Sequence, residues 1–287
     1  MKEIVLDKFV MGGGAPFVLI AGPCVIEDEK KTRDIAEYLK KLTASLNIPF
    51  IFKASYDKAN RTSMDSFRGP GITEGLRILK KIRGDLDVLV LSDVHRFEEI
   101  KPASEILDVV QVPAFLCRQT DFVVEVARHA KIINIKKGQF LAPWDVKNIL
   151  TKALSAGNEK IIITERGTTF GYNNLVADFR SLPILRSMGY PVVFDATHSV
   201  QLPGGTGAAS GGERGMAAVL SRAAVAVGID GLFLEVHPDP ERAGCDGPNS
   251  LFLDSLPDLL RTLVEIDTVV KSSGHRGTLP GQGGVHG

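Results

Sequence analysis

Residues 160–174 read KIIITERGTTFGYNN. The run Lys160–Thr164 has an unbroken apolar centre, Ile161–Ile163, and is followed at once by a polar, glycine-bearing cluster. A strand with one wet face alternates apolar and polar residues. A strand covered on both faces need not, and that is the habit of a parallel sheet lying under helices. The stretch therefore predicts a buried parallel strand whose C-terminal end opens into a chemically rich loop. The pattern recurs at Phe17–Ala21, Phe50–Ala54, Asp87–Leu91, Leu107–Val112, Ile132–Ile135, Val192–Asp195 and Gly231–Glu235. Amphipathic stretches separate these runs, at Glu29–Leu46, Thr73–Arg83, Arg96–Ile100, Thr120–His129, Trp144–Ala156, Leu175–Met188, Gly212–Val227 and Ser255–Val270. Strands alternating with helices imply right-handed crossovers. Eight such units in 287 residues fit a closed TIM (β/α)8 barrel better than an open doubly wound sheet. The expected organisation is a single α/β domain: an N-terminal hairpin extension over residues 1–16 closing the barrel bottom, the barrel over 17–271, and a flexible Gly-rich tail over 272–287.

Composition narrows the function. Hydrophobic residues make up 44% and charged ones 24%, ordinary soluble usage. Lys plus Arg, 34, equals Asp plus Glu, 34, so the basic excess usual in nucleic-acid binders is missing. No apolar run approaches the roughly 18 residues that span a bilayer. The N-terminal segment does not read as a secretory signal, and three cysteines, Cys24, Cys117 and Cys245, without paired spacing suit a reducing compartment. A cytoplasmic protein is expected, with no nucleic-acid or membrane partner.

The polar residues are distributed unevenly. Strand candidates end in AGPCVIE, KASYDKANRTS, SDVH, QVPAFLCRQTD, NIKKGQF, TERGTTFGYNN, DATHSVQLPGG and EVHPDPERAGCDGPNS, whereas the return connections LNIP, SMGYP and AVGID are short and plain. The C-terminal face of such a barrel is where its active sites form, so the clusters are expected to share one pocket. Lys53, Lys58, Arg61, Arg68, Arg118, Lys136, Lys137 and Arg166 all fall in them. Most single Lys or Arg residues are solvated surface. Several around one mouth suit a substrate with multiple anionic groups, Arg as a bidentate fork and Lys as a movable charge. The stretch 204–212, GGTGAASGG, lacks the Lys-Ser/Thr of a phosphate loop and reads as a lid over the pocket. Trp144 reads as a packing residue.

Cys24, His198, Glu235 and Asp246 form a second constellation. Alone, each has an ordinary reading: a small buried thiol, a hydrogen-bonded imidazole, a capping carboxylate. Together they come from the ends of the first, seventh and eighth strands, and a thiolate, an imidazole and two carboxylates suit a divalent transition metal, Zn²⁺, Fe²⁺ or Mn²⁺, better than Mg²⁺. Cys245, next to Asp246, is a second thiol able to compete for that ion.

The motifs IAGPC, FKASYDKANRTS, QVPAFLCRQTD, NIKKGQFLAPWD, TERGTTFGYNNL and FDATHSVQLPGG closely resemble the 3-deoxy-D-manno-octulosonate 8-phosphate synthases, from about Phe17 to about Asp246. The resemblance implies a TIM barrel that condenses phosphoenolpyruvate with D-arabinose 5-phosphate, for lipopolysaccharide biosynthesis. Cys24, where the metal-independent class carries Asn, implies the metal-dependent class with one divalent ion per subunit. Carried over by motif, Lys53, Ser55 and Lys58 hold the carboxylate end of phosphoenolpyruvate, and Lys136, Arg166 and the backbone N–H of Ala114 its phosphate, with Gln111 nearby. Asn60, Arg61 and Thr62 grip arabinose 5-phosphate, and Asp93 its hydroxyls. Arg118 reaches the sugar phosphate of a neighbouring subunit, which implies a homotetramer. Lys136, Cys24, His198 and Asp246 are the expected catalytic set. Thr62 and Ser92 replace a usual Ser and Thr. Two alternatives stand beside this reading. One is the related 3-deoxy-D-arabino-heptulosonate 7-phosphate synthase, which uses erythrose 4-phosphate but typically carries a KPRTSP-type motif in place of KASYDKANRTS. The other is a non-catalytic sugar-phosphate-binding barrel.

Overall fold

The computed structural model describes residues 1–204 and 211–273. Its elements run β1 (Val18–Gly22), α1 (Glu29–Ser45), β2 (Phe50–Lys53), α2 (Ile72–Leu86), β3 (Leu89–Asp93), α3 (Phe97–Ile106), β4 (Val109–Val112), α4 (Thr120–His129), β5 (Ile133–Lys136), α5 (Val146–Ser155), β6 (Ile161–Glu165), α6 (Ser181–Arg186), β7 (Val192–Asp195), α7 (Arg214–Val227), β8 (Gly231–His237) and α8 (Leu256–Ser272). Each strand pairs in parallel with the next. The ring closes where β8 meets β1, from Gly231 opposite Val18 to Glu235 opposite Gly22. The expected TIM barrel is what forms. No described helix is long and apolar enough to cross a membrane.

Two faces explain the unbroken apolar runs. Side chains alternate across a strand, so one set, including Leu19, Phe52, Val90, Val110, Ile163, Phe194 and Leu234, packs outward against the helices. The other set, including Val18, Ile20, Ile51, Leu89, Leu91, Val109, Ile162, Val193 and Phe233, fills the lower barrel. The strands Ile4–Leu6 and Phe9–Met11 form an antiparallel hairpin whose Ile4, Leu6 and Met11 join this inner cluster and plug the bottom. Gly231 makes room for the plug, because a Cβ there would lie 2.7 Å from the Met11 Cε.

Several boundaries differ from expectation. Only Ser181–Arg186 of the expected helix Leu175–Met188 is helical; Leu175–Val176 instead pairs with Thr168–Thr169 across the turn at Asn173, whose φ is 53°. Asn tolerates that left-handed conformation, so an apolar start that reads as one face of a helix becomes a hairpin arm. Helix α3 continues through Pro102 to Ile106 rather than stopping at Ile100. Strand β3 begins at Leu89 because Asp87, at φ 48°, closes α2 in the left-handed region. Trp144 is 63% exposed, so it is not the packing residue expected. Residues 205–210 of the expected lid and 274–287 of the tail lie outside the described residues.

Met11 is fully buried and Val5, on the same hairpin, is 63% exposed. Met11→Ala is expected to cost about 2–5 kcal/mol in urea unfolding through lost burial and a residual cavity. Val5→Ala is expected to change stability by less than about 0.5 kcal/mol.

Candidate active site

The inward row changes chemistry as it rises. Above Ile51 comes Lys53, above Leu91 Asp93, above Val109 Gln111, above Ile162 Thr164 and then Arg166, above Val193 Asp195, and above Phe233 Glu235. A hydrogen-bonded girdle separates the two levels: Thr164 Oγ1 donates to Asn134 Oδ1 at 2.7 Å, and Asn134 Nδ2 to Gln111 Oε1 at 3.0 Å. Above it lies a pocket lined by Lys53, Lys58, Asn60, Arg61, Thr62, Asp93, Gln111, Ala114, Lys136, Arg166, His198 and Asp246, together with His95, Gln139, Gln201 and Cys245. Three expected residues stand behind its wall. Ser55 donates to Asp93, Cys24 donates to Asp246 Oδ2 at 3.5 Å, and Glu235 Oε1 accepts from Lys53 Nζ at 2.7 Å.

Three of the eight expected cations do not line this mouth. Arg118 is exposed and Arg68 is spent on Asp57. Lys137 turns away, donating to the carbonyls of Gly138 and Leu141 and to Thr168 Oγ1, and ties the loop after β5 to the loop after β6. The strongly cationic bowl inferred from sequence is also partly neutralised. Buried charge is costly without a partner, and Glu235 and Asp195 supply two. Burial would raise Glu235, yet Lys53, His198 and Lys58 hold it well below the ordinary carboxylate range. Burial works against the charge of Lys58 too, but its anionic neighbours, Glu235 and Asp93 among them, hold it well above the usual lysine value. Lys136 meets Asp195 Oδ2 at 2.6 Å; even so, burial, with Arg166 beside it, pushes the ammonium down.

Arg166 is different. Among the described residues it has no carboxylate within ion-pair distance. Its NH2 group donates to the carbonyl of His198 at 3.2 Å and to Gln201 Oε1 at 2.8 Å, and its Nε is buried without a partner. Burial lowers its pKa as well. A guanidinium held this way has the geometry to receive an anionic group.

The donor set lies beside these cations. His198 Nε2 is 3.7 Å from Glu235 Oε1 and 3.8 Å from Asp246 Oδ2. His198, Glu235 and Asp246 form one group with ligand atoms within 4.8 Å of one another; Cys24, Cys245 and Asp246 form another, and Asp246 belongs to both. Their chemistry fits a divalent metal. Glu235 Oε2 is buried with no partner, and the His198 Nδ1 lies 2.8 Å from Asp195 Oδ2, which leaves Nε2 for an ion. Burial pushes the Cys24 thiol well up, so a cation would be needed to hold it as thiolate. Asp246 has φ 47°, and its carbonyl accepts from the N–H groups of Asn249 and Ser250, which pins this left-handed turn. Cys245 does stand with the donors, and it also accepts from Arg61 NH1 at 2.7 Å. Asp57, His95 and Glu99 form a third such group. There Arg68 holds Asp57 and Arg96 holds Glu99, so it is an ion-pair network.

Sequence reasoning missed His95, Gln139, Gln201 and Asp195. The signal for Asp195 was its place two residues after Val193, on the row that carries Lys53 and Glu235. His95 Nε2 lies 2.9 Å from Asp93 Oδ2, while Glu99 Oε2 accepts from the backbone N–H of His95 at 2.7 Å and from the Tyr56 hydroxyl at 3.0 Å. Burial lowers the imidazole pKa, but Asp93 and Glu99 raise it above 6.5 overall. A raised histidine stabilises the fold fully below its unfolded pKa of about 6.5, and that contribution fades as pH climbs through the folded value. Calorimetric stability is therefore expected to decline with rising pH above about 6.5, by at most roughly 1.4 kcal/mol per pH unit from this proton. In His95→Gln that component should vanish.

The chain matches the DAHP synthetase I family over residues 2–272. It is 62% identical over 270 residues to the 2-dehydro-3-deoxyphosphooctonate aldolase of Geobacter sulfurreducens, covering 94% of this chain and 99% of that protein. The protein of the same description from Geotalea uraniireducens is 64% identical over 271 residues, covering 94% of this chain and 100% of its own length. That from Pelobacter propionicus is 60% identical over 270 residues, with 94% and 99% covered. A closed barrel with this mouth, matched nearly end to end by such relatives, belongs to the DAHP synthetase I family, alongside its 2-dehydro-3-deoxyphosphooctonate aldolases.

Proposed function

We propose that this protein condenses phosphoenolpyruvate with D-arabinose 5-phosphate and water, giving 3-deoxy-D-manno-octulosonate 8-phosphate and phosphate, in the cytoplasm and for lipopolysaccharide biosynthesis. The observation that carries this reading is the pairing of buried Lys136 with buried Arg166, the latter without a carboxylate of its own among the described residues. The names of the relatives favour arabinose 5-phosphate over erythrose 4-phosphate.

In this reading Lys136 and Arg166 hold the phosphoryl group of phosphoenolpyruvate, with Gln111 and the Ala114 N–H beside it. Lys58 faces the carboxylate. Lys53, already bound to Glu235, contributes shared charge, and Ser55 acts through Asp93. Asn60, Arg61, Thr62 and Asp93 hold the sugar, and Arg118, exposed on its own subunit, meets the sugar phosphate of a neighbour in a homotetramer. Carbon 3 of phosphoenolpyruvate attacks the aldehyde carbon, water adds at carbon 2, and the aldehyde oxygen takes up a proton while the water gives one up. The resulting hemiketal phosphate collapses with cleavage of its C–O bond, releasing phosphate. Two anions must be held together for this; such positioning is worth roughly 7–11 kcal/mol of barrier. Lys136 and Arg166 then stabilise the charge that grows on the departing phosphate. Cys24, His198, Glu235 and Asp246 would hold one Zn²⁺, Fe²⁺ or Mn²⁺ per subunit. Such an ion supplies Lewis acidity at the edge of the pocket.

Phosphate release is expected only when phosphoenolpyruvate and arabinose 5-phosphate are both present, and a preference for erythrose 4-phosphate would overturn the substrate assignment. Arg166→Met is expected to lower kcat/KM for phosphoenolpyruvate by about 10²–10³, the usual loss for a transition-state donor. The melting temperature should hold or rise, since burial of this charge outweighs the support of its surrounding carboxylates. Exhaustive chelation should abolish turnover and added Zn²⁺, Fe²⁺ or Mn²⁺ should restore it; full activity in metal-free protein would remove the ion from the mechanism.

A further inference from the structure

Asp195 closes β7 with its side chain fully buried, behind the pocket-lining Lys136 and His198. Its carboxylate is nevertheless the junction of the site. Oδ1 accepts from the backbone N–H of His198 at 2.8 Å and from the Thr197 hydroxyl at 3.1 Å, and that same hydroxyl accepts from the N–H of Glu235 at 3.1 Å. Oδ2 faces Lys136 Nζ at 2.6 Å and His198 Nδ1 at 2.8 Å, and neither contact is a well-directed hydrogen bond. The ammonium and the imidazole nitrogen are themselves 3.2 Å apart. One oxygen thus serves two competitors: a cation of the anion-binding wall and the back of a metal-ligand histidine.

We infer that Asp195 is a positioning residue through which phosphoenolpyruvate binding tightens metal binding. The inference rests on the proposed function for the identity of the anion. Before the anion arrives, Lys136 draws the carboxylate's charge away from His198. A phosphoryl group entering between Lys136 and Arg166 gives the ammonium a second anionic neighbour and weakens its hold on Oδ2. The carboxylate then turns its charge to the Nδ1–H, and an imidazole backed by a carboxylate is the stronger ligand at Nε2. By linkage, metal must tighten phosphoenolpyruvate binding by the same factor.

The test measures Mn²⁺ affinity in metal-stripped protein by electron paramagnetic resonance, with and without phosphoenolpyruvate, without reference to turnover. In the wild type the substrate is expected to tighten Mn²⁺ by about fivefold or more, the lower end of ordinary couplings. Asp195→Asn is expected to weaken Mn²⁺ by about 10–100-fold, as loss of a histidine's carboxylate partner does, and to erase the substrate effect. Lys136→Met, which leaves Asp195 to His198 alone, should bind Mn²⁺ more tightly than the wild type without any substrate. This second variant keeps the test open if circular dichroism shows that Asp195→Asn does not fold. Tightening that survives in Asp195→Asn would mean that the substrate acts on the ion directly, and would overturn the inference. So would a Lys136→Met protein no tighter than wild type. Calorimetry of phosphoenolpyruvate binding separates the two levels: no binding at all would sink the functional reading, whereas binding that leaves Mn²⁺ affinity unchanged would sink this inference alone.

Discussion

Closure of a parallel barrel turns every second side chain of each strand toward one shared axis, and the rest of the structure depends on how that axis is filled. Lower down it is filled with Val, Ile, Leu and Phe233, sealed beneath by the hairpin residues Ile4, Leu6 and Met11. Higher up the same rows carry Lys53, Asp93, Gln111, Lys136, Asp195 and Glu235. The lower layer holds the strands in register, and register sets the polar tips at one height. Phe233 joins the two levels, its ring lying under the ammonium groups of Lys53 and Lys136 at 5.5 and 4.6 Å.

Concentrating charge at the top of a low-dielectric ring is expensive, and the site shows how the expense is limited. Glu235 answers Lys53 and Asp195 answers Lys136, while Asp93 is held by His95. Arg166 has no carboxylate within ion-pair distance among the described residues, and Asp195, Asp246, Glu165 and Glu235 act on it only from farther off. The pocket therefore pairs its buried lysines internally and leaves one buried guanidinium with neutral hydrogen-bond partners. The carboxylates that neutralise the lysines also stand beside the metal-donor group. The pocket lysines and the donor group thus share Asp195 and Glu235 as neighbours.

The loops divide along similar lines. Lys137 and Arg68 looked like pocket cations because they follow strands in polar clusters. Position after a strand does not decide direction, however. Lys137 follows Lys136 directly, and strand alternation sends it to the opposite face, where it holds carbonyls of its own loop and Thr168. Arg68 is far enough along its loop to fold back on Asp57.

The sequence by itself determined the architecture and the end of the barrel at which the polar pocket lies. Short apolar runs such as IIIT, spaced between amphipathic stretches, fit strands covered on both faces, and polar clusters following each run then meet at one end of the barrel. It also determined the family, since motifs such as KASYDKANRTS and TERGTTFGYNN are long contiguous strings. What only the tertiary structure decided is who partners whom. Lys53 with Glu235, and Cys24 with Asp246, are separations of 182 and 222 residues. Contacts across such distances are set by barrel closure and side-chain alternation, which no local pattern records. For the same reason Asp195 passed as one more polar residue, while the hairpin arm at Leu175 turns on the local left-handed conformation of Asn173.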